Sequence, residues 1–317
     1  MAIIGLSATA ATNIRFAVSC LWEVLASVRI LRDPRVPAVH RAWAARAALS
    51  PETLLWNLIA PSGGYTPDFV TPPPAGLSAD LARELAGLRA TPAALIREHL
   101  DLIGPDLPPP VRELHADPAR GLARLADEIS SYWAAAIAPD WPRMCALLDA
   151  EVQRRARRLA EGGSAALLND LHPQVSWQAG LLAIDQPHCA APDVPHGTGL
   201  VLIPSVFVWP SVLTVTAGPI PQLAYPARGV ATLWERSSRS AEPLVALLGR
   251  GRAALLQELV APLSTTELSR RTGLTPGGVS QHLTTLRAAG LVVTHRQGRS
   301  LLNTRTEVAE ALLAASS

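Results

Sequence analysis

Apolar residues recur at helical spacing through the first half of the chain. In "SCLWEVLASVRIL" the positions Leu21, Val24, Leu25 and Val28 share one face, which predicts a helix closed by Pro34. "LSADLARELAGL" predicts a second, with Ser78 as its N-cap after the stiff "PPPAG" at 72–76. Residues 117–162 read as two helices interrupted near "APDWP". Between Val175 and Pro226 the pattern changes to short β-branched runs divided by prolines, which predicts short buried strands. "AIIG" at the start predicts another strand, and "RGVATLWE" returns to helix. The small polar run "RSSRSAEP" at 236–243 reads as a domain boundary. The expected architecture is mainly α with small β elements: an α+β domain over residues 1–240, then a separate domain over 241–317.

The second domain has the clearer punctuation. Ser264 can cap a helix while Glu267 reaches back to it in a capping box, with Leu263 and Leu268 as the flanking apolar staple. Gly273 ends that helix. Thr275 caps the next, Pro276 occupies its first position, and Leu274 and Val279 repeat the staple. Val279, Leu283 and Leu286 form its buried stripe, and it runs to Ala289 before Gly290. Helix, three-residue turn and helix make a helix-turn-helix unit. Residues 291–296 and 299–304 follow as two short strands joined at Gln297-Gly298, and "EVAEALLAA" predicts a closing helix.

The outer face of the second helix lacks carboxylates. It carries Thr275, Gly277, Gly278, Ser280, Gln281, Thr284, Thr285 and Arg287. Short polar tips, small residues and an absence of acid suit the major groove, where base edges are read beside phosphates. Two early glycines weaken the helix, which makes sense where its N-terminus must approach another backbone; simple tolerance in a first turn explains them equally well. Arg296 and Arg299 flank the strand turn, as in a wing whose arginines lie along phosphates or enter the minor groove. From Arg270 to Arg305 there are six Arg and no acid. The whole chain has a net charge of only +2, so the basic excess is local.

"TTELSRRTGLTPGGVSQHLTTLRAAGLVVTHRQGRSLLNT" resembles the ArsR-type winged-helix regulators. The resemblance is carried by Ser280, His282 and Leu283, then Leu286, Ala289, Gly290, Leu291 and Val292, then the basic hairpin. It implies a dimeric bacterial transcription factor in which Ser280, Gln281 and Thr284 face bases and His282 packs or caps. It also implies dimer contacts near Pro243–Leu248 and Glu307–Ala314, with Val308, Leu312 and Leu313 facing the partner. "GLVLIPSVFVWPSV" and "RGVATLW" are similar to the first domain of some actinobacterial ArsR-like regulators, a domain that brings no established activity with it. Metal-sensing relatives use cysteines or His/Asp clusters in the winged domain, whereas residues 241–317 contain no Cys and only His282 and His295. No cofactor is expected.

Other chemistries find little support in the sequence. No nucleophile elbow, P-loop, dinucleotide fingerprint or zincin helix is present, so no enzyme is expected. "PHCAAPDVPH" gathers His188, Cys189, Asp193 and His196, but their spacing fits no zinc template and reads as a surface loop. "RRARR" at 154–158 lies among Asp149, Glu151 and Glu161 and reads as a solvated helix face. The eight tryptophans read first as core, with an apolar effector pocket as the alternative. Prolines interrupt the charge-free span from Val194 to Ala227, so no membrane segment is expected. Three scattered cysteines and the lack of a basic n-region suit a reduced, cytoplasmic protein. The expected function is DNA-binding transcription regulation through double-stranded DNA, as a homodimer, with a possible small-molecule effector. The alternative is a winged-helix module that contacts protein.

Overall fold

The helix Cys20–Arg32 is buried on nearly every side and organises the first of two compact units. These units, seen in a computed structural model, span residues 1–234 and 235–317. The structure describes residues 2–61, 63–74, 76–185, 199–216, 218, 220–234, 242–259, 262–297 and 300–315.

A helix so enclosed must satisfy its polar groups inside the protein. Ser19 caps it by accepting from the Trp22 N–H. The Glu84 carboxylate accepts from the Ser19 hydroxyl at 2.5 Å and from the Cys20 and Leu21 N–H groups at 2.9 and 3.1 Å. Glu23 accepts from the Val206 N–H at 2.9 Å and the Ser205 hydroxyl at 3.1 Å. The Trp22 indole donates to Gln222 at 2.9 Å, and Gln222 donates onward to the Thr71 carbonyl. Ser27 meets the Tyr132 hydroxyl at 2.9 Å. The helix that supplies Glu84 is Leu81–Arg89, and its N-cap is Asp80 rather than Ser78. The later start turns Leu85 and Leu88 into the core and Glu84 towards the central helix.

The strands form small sheets. β1 (Ala2–Gly5), β4 (Leu181–Ile184) and β3 (Val175–Gln178) make one antiparallel sheet in the order β1-β4-β3. A second has the order β2-β5-β7-β6, from Ile14–Phe16, Leu200–Ser205, Gln222–Pro226 and Leu213–Val215. Its first three strands are parallel and β6 runs against β7. Every residue of β5 and β7 is buried, as expected of parallel strands covered on both faces. The described parts of the proline-divided run thus supply five short strands, and no helix among the described residues is long and apolar enough to cross a membrane.

The two helices expected over 117–162 are Pro118–Tyr132 and the longer Trp141–Asn169, joined through a π-helical turn. Gly163 interrupts the longer one with φ of 66°. The solvated reading of residues 154–158 needs correction. Arg157 and Arg158 are exposed, but Arg155 is buried. Its guanidinium donates to Glu151 at 2.8 Å, to the Asp170 carboxylate and carbonyl at 2.8 Å each, and to the Leu171 carbonyl at 3.2 Å. The chain turns there at the end of a helix, and Arg155 saturates the carbonyls left over. Trp22 and Trp43 are core residues, whereas Trp209 is about half exposed.

The second unit has a core of its own. Leu255 and Leu256 from Arg250–Glu258, Leu268 from Thr265–Thr272, and Val279, Leu283 and Leu286 from Pro276–Ala288 meet in it. β8 (Leu263–Ser264), β10 (Ser300–Arg305) and β9 (Val292–Gln297) form an antiparallel sheet in the order β8-β10-β9. The closing helix is Glu307–Ala315.

Candidate nucleic-acid interface

Ser264 caps the first helix of the pair by accepting from the Glu267 N–H at 3.2 Å. The reciprocal half of the expected capping box is replaced. The Glu267 carboxylate accepts from Arg270 at 2.6 Å and Arg271 at 3.0 Å. Those bonds hold it below the usual carboxylate range. Gly273 has φ of 71°, a conformation that costs an ordinary residue strain. The Ser269 hydroxyl then donates to the Leu274 carbonyl at 2.6 Å and fixes the turn. Thr275 accepts from the Gly278 N–H at 3.2 Å, and Pro276 opens the second helix.

The stripe Val279, Leu283 and Leu286 is buried. Thr275, Gly277, Ser280, Gln281, Thr284 and Arg287 are all exposed. The two glycines differ. A Cβ on Gly278 would stand 3.2 Å from the Thr275 Oγ1, so that glycine leaves the cap room. A Cβ on Gly277 would meet nothing within 4 Å among the described residues. The packing therefore places no demand for glycine at position 277. Thr284 is less available than its exposure suggests. Its hydroxyl donates to the Ser280 carbonyl at 2.9 Å and accepts from Arg287 at 3.3 Å. His282 packs over Gly251, where an added Cβ would lie 2.5 Å from its Nε2. Sequence reading passed over Gly251, which becomes meaningful only once these two helices are in contact.

β9 and β10 pair from Ser300↔Gln297 to Arg305↔Val292. The exposed Arg296 stands opposite Leu301, one pair in from Gln297↔Ser300. Arg299, Gly298 and the metal-type residues His188, Cys189, Asp193 and His196 lie outside the described residues. Among the described residues no group of three His, Cys, Asp or Glu is placed to hold a metal ion. Asn303 pins the sheet from within, accepting from the Thr294 hydroxyl at 2.8 Å and donating to the Leu263 carbonyl at 3.2 Å.

The acid-free stretch is less purely basic in space than in sequence. Acids on either side of it fold back. Glu267 engages Arg270 and Arg271, and Glu310 lies 2.8 Å from Arg305. Arg287 and Arg296, both exposed, are the other arginines of the stretch among the described residues.

Paired helices about a left-handed glycine, a polar exposed second helix and a following antiparallel hairpin define the helix-turn-helix domain of a DNA-binding transcriptional regulator. Residues 254–294 match the arsR family of bacterial regulatory proteins, and the carboxy-terminal domain is of the ArsR type. Among solved structures, the chain is similar to a predicted DNA-binding transcriptional regulator from E. coli, with 30% identity and a TM-score of 0.21. That match covers 25% of this chain and 87% of the other. No curated protein matched the chain.

Proposed function

We propose that the protein is a winged-helix repressor that reads an inverted-repeat operator with the helix Pro276–Ala288. The observation that carries this reading is the acid-free, polar exposed face of that helix beside a hairpin bearing Arg296. Thr275, Gly277, Ser280 and Gln281 are the groove-facing set, and Thr284 contributes mainly as an acceptor. Arg287, Arg296 and Arg299 bind phosphate or enter the minor groove, with the β9–β10 hairpin as the wing.

Base readers and phosphate binders differ in their response to sequence. Gln281→Ala is expected to lose about 1–3 kcal/mol of specific binding while binding to random duplex stays nearly intact. Arg296→Ala is expected to weaken binding to every sequence and to lower the slope of log K against log salt by about 0.9. Filter binding on operator and random duplex over a salt series measures both. Equal losses for Gln281→Ala on the two DNAs would remove it from base reading. A full chain that binds neither DNA at low salt would favour a protein-contacting module.

The protein acts as a two-fold dimer, because one recognition helix reads too few base pairs to select a site within a genome. Leu247 and Val308, 65% and 62% exposed, support contacts through the first and last helices of the carboxy-terminal unit. Light scattering is expected to give twice the chain mass, and footprinting to give half-sites about one helical turn apart or a multiple of it. A monomer that protects a single half-site would defeat this arrangement. The unit 1–234 serves as the sensing part, with a small-molecule effector, and contributes to dimerisation.

A further inference from the structure

Arg29 interrupts an apolar helix face, and two clefts of the first unit meet at it. The first holds about 500 Å³ and runs along Ala26, Arg29 and Ile30 towards Trp209. The second holds about 350 Å³, and its walls include Trp22, Leu25, Thr66, Leu213 and Val215. Trp22, Leu25 and Arg29 follow at i, i+3 and i+7, so they share one side of the central helix. Both volumes fall within the range of small-molecule sites, about 300–1,000 Å³.

The guanidinium is poorly satisfied. Among the described residues its one hydrogen bond is to the Thr66 hydroxyl, at 3.4 Å. Among the described residues no carboxylate forms an ion pair with it, although Asp33 edges the first cleft and Asp68 the second. Asp33 instead accepts from the Arg35 N–H at 2.8 Å. Arg155 in the same unit provides the contrast, with four protein acceptors on one guanidinium. Burial lowers the Arg29 pKa, with no opposing charge to offset it. A partly desolvated cation without a partner is costly, and a protein retains one where something else supplies the anion.

We propose that the cleft at Arg29 binds a small organic acid, its carboxylate on the guanidinium and its apolar body against Trp22, Leu25, Leu213 and Val215. The planar fork of arginine matches a carboxylate through two parallel N–H bonds. In the second cleft, where Arg29 is the one cation among the described lining residues, the apolar wall and Asp68 at the edge disfavour a polyanion. The assignment rests on reading the first unit as the sensing part, and it gives that part its ligand class.

The test uses the full chain with 2-naphthoate and octanoate, and with 2-naphthamide and octanamide as neutral analogues. Calorimetric titration is expected to give at least one acid binding about tenfold or more tightly than its amide. Arg29→Gln is expected to bring the acids to the level of the amides, and Arg29→Lys, which keeps the charge without the fork, to fall between. Arg29→Leu is expected to raise Tm of the ligand-free protein by about 2–4 °C, since it removes an uncompensated charge; a merely structural arginine would lower Tm. Acids and amides binding alike would overturn the proposal, as would undiminished preference in Arg29→Gln or no binding by any of the four probes at millimolar concentration. Duplex binding is measured on the same samples. A chain that binds DNA but no acid sinks the cleft alone, and one that binds acid but no DNA sinks the regulator reading.

Discussion

Arg155→Ala is expected to destabilise the amino-terminal unit by about 3–5 kcal/mol, the usual cost of removing one partner from a buried ion pair. The side chain is 1% exposed, and Glu151, its partner at 2.8 Å, is equally enclosed. Truncation leaves that buried carboxylate with the part-exposed Arg154 alone and also frees the Asp170 and Leu171 carbonyls. It empties the space over the Tyr225 ring, whose centroid lies 5.5 Å from the guanidinium carbon. Urea unfolding followed by tryptophan fluorescence measures the loss. Arg158→Ala, on the exposed side of the same helix, is expected to change stability by less than about 0.5 kcal/mol. Similar effects for the two variants would show that the buried network contributes little.

Glu23→Gln is expected to flatten the decline of stability with rising pH. Burial lifts the Glu23 carboxyl from 4.5 to about 8, and the hydrogen bonds from Val206 and Ser205 only partly oppose it. The folded chain therefore keeps this proton through neutral pH, after the unfolded chain has released it. With the folded pKa raised, the contribution is fully present below 4.5, falls as pH rises through the interval, and levels off above 8. The limiting slope is about 1.4 kcal/mol per pH unit. Glutamine keeps the shape and hydrogen-bonding capacity of the protonated acid without the titration. At pH 8 the variant is expected to exceed the parent by at least about 1.4 kcal/mol, with the difference shrinking towards pH 5. Glu84 is also raised, by burial first, so some pH dependence of the same sign remains in the variant. Urea midpoints across the range check this, and parallel pH profiles for the two proteins would refute it.

The carboxy-terminal unit was legible because its determinants are local. Ser264, Gly273, Thr275 and Pro276 act on neighbours within three or four residues, and Val279, Leu283 and Leu286 obey one period. What the sequence could not give there was the fate of charges. Glu267 lies three and four residues from Arg270 and Arg271, so it can serve the cap or the arginines, and the arginines take it. In the first unit the helices were readable, but their polar partners were not. Nothing near Arg155 in sequence distinguishes it from Arg158, because its burial depends on residues 170 and 171 turning back over it. Arg29 is inconspicuous in the sequence for a similar reason, since its cleft is closed by residues 66 and 213.

The central helix has a consequence for the order of events during synthesis. Its Trp22 indole waits for Gln222, 200 residues later, and Glu23 waits for Val206, 183 residues later. Glu84 arrives sooner to close its N-terminus, 64 residues after Cys20. At about 5–20 residues per second, a ribosome takes roughly 10–40 s to supply the partner of Trp22. Through that interval a helix that the folded unit buries on nearly every side lacks its sheet, and contacts so distant in sequence close slowly even once the strands are available. The helix-turn-helix segment faces no such delay: its caps and stripe are complete within a few residues of one another. The carboxy-terminal unit is thus equipped to fold quickly, while the unit before it must remain unfinished until Gln222 has emerged.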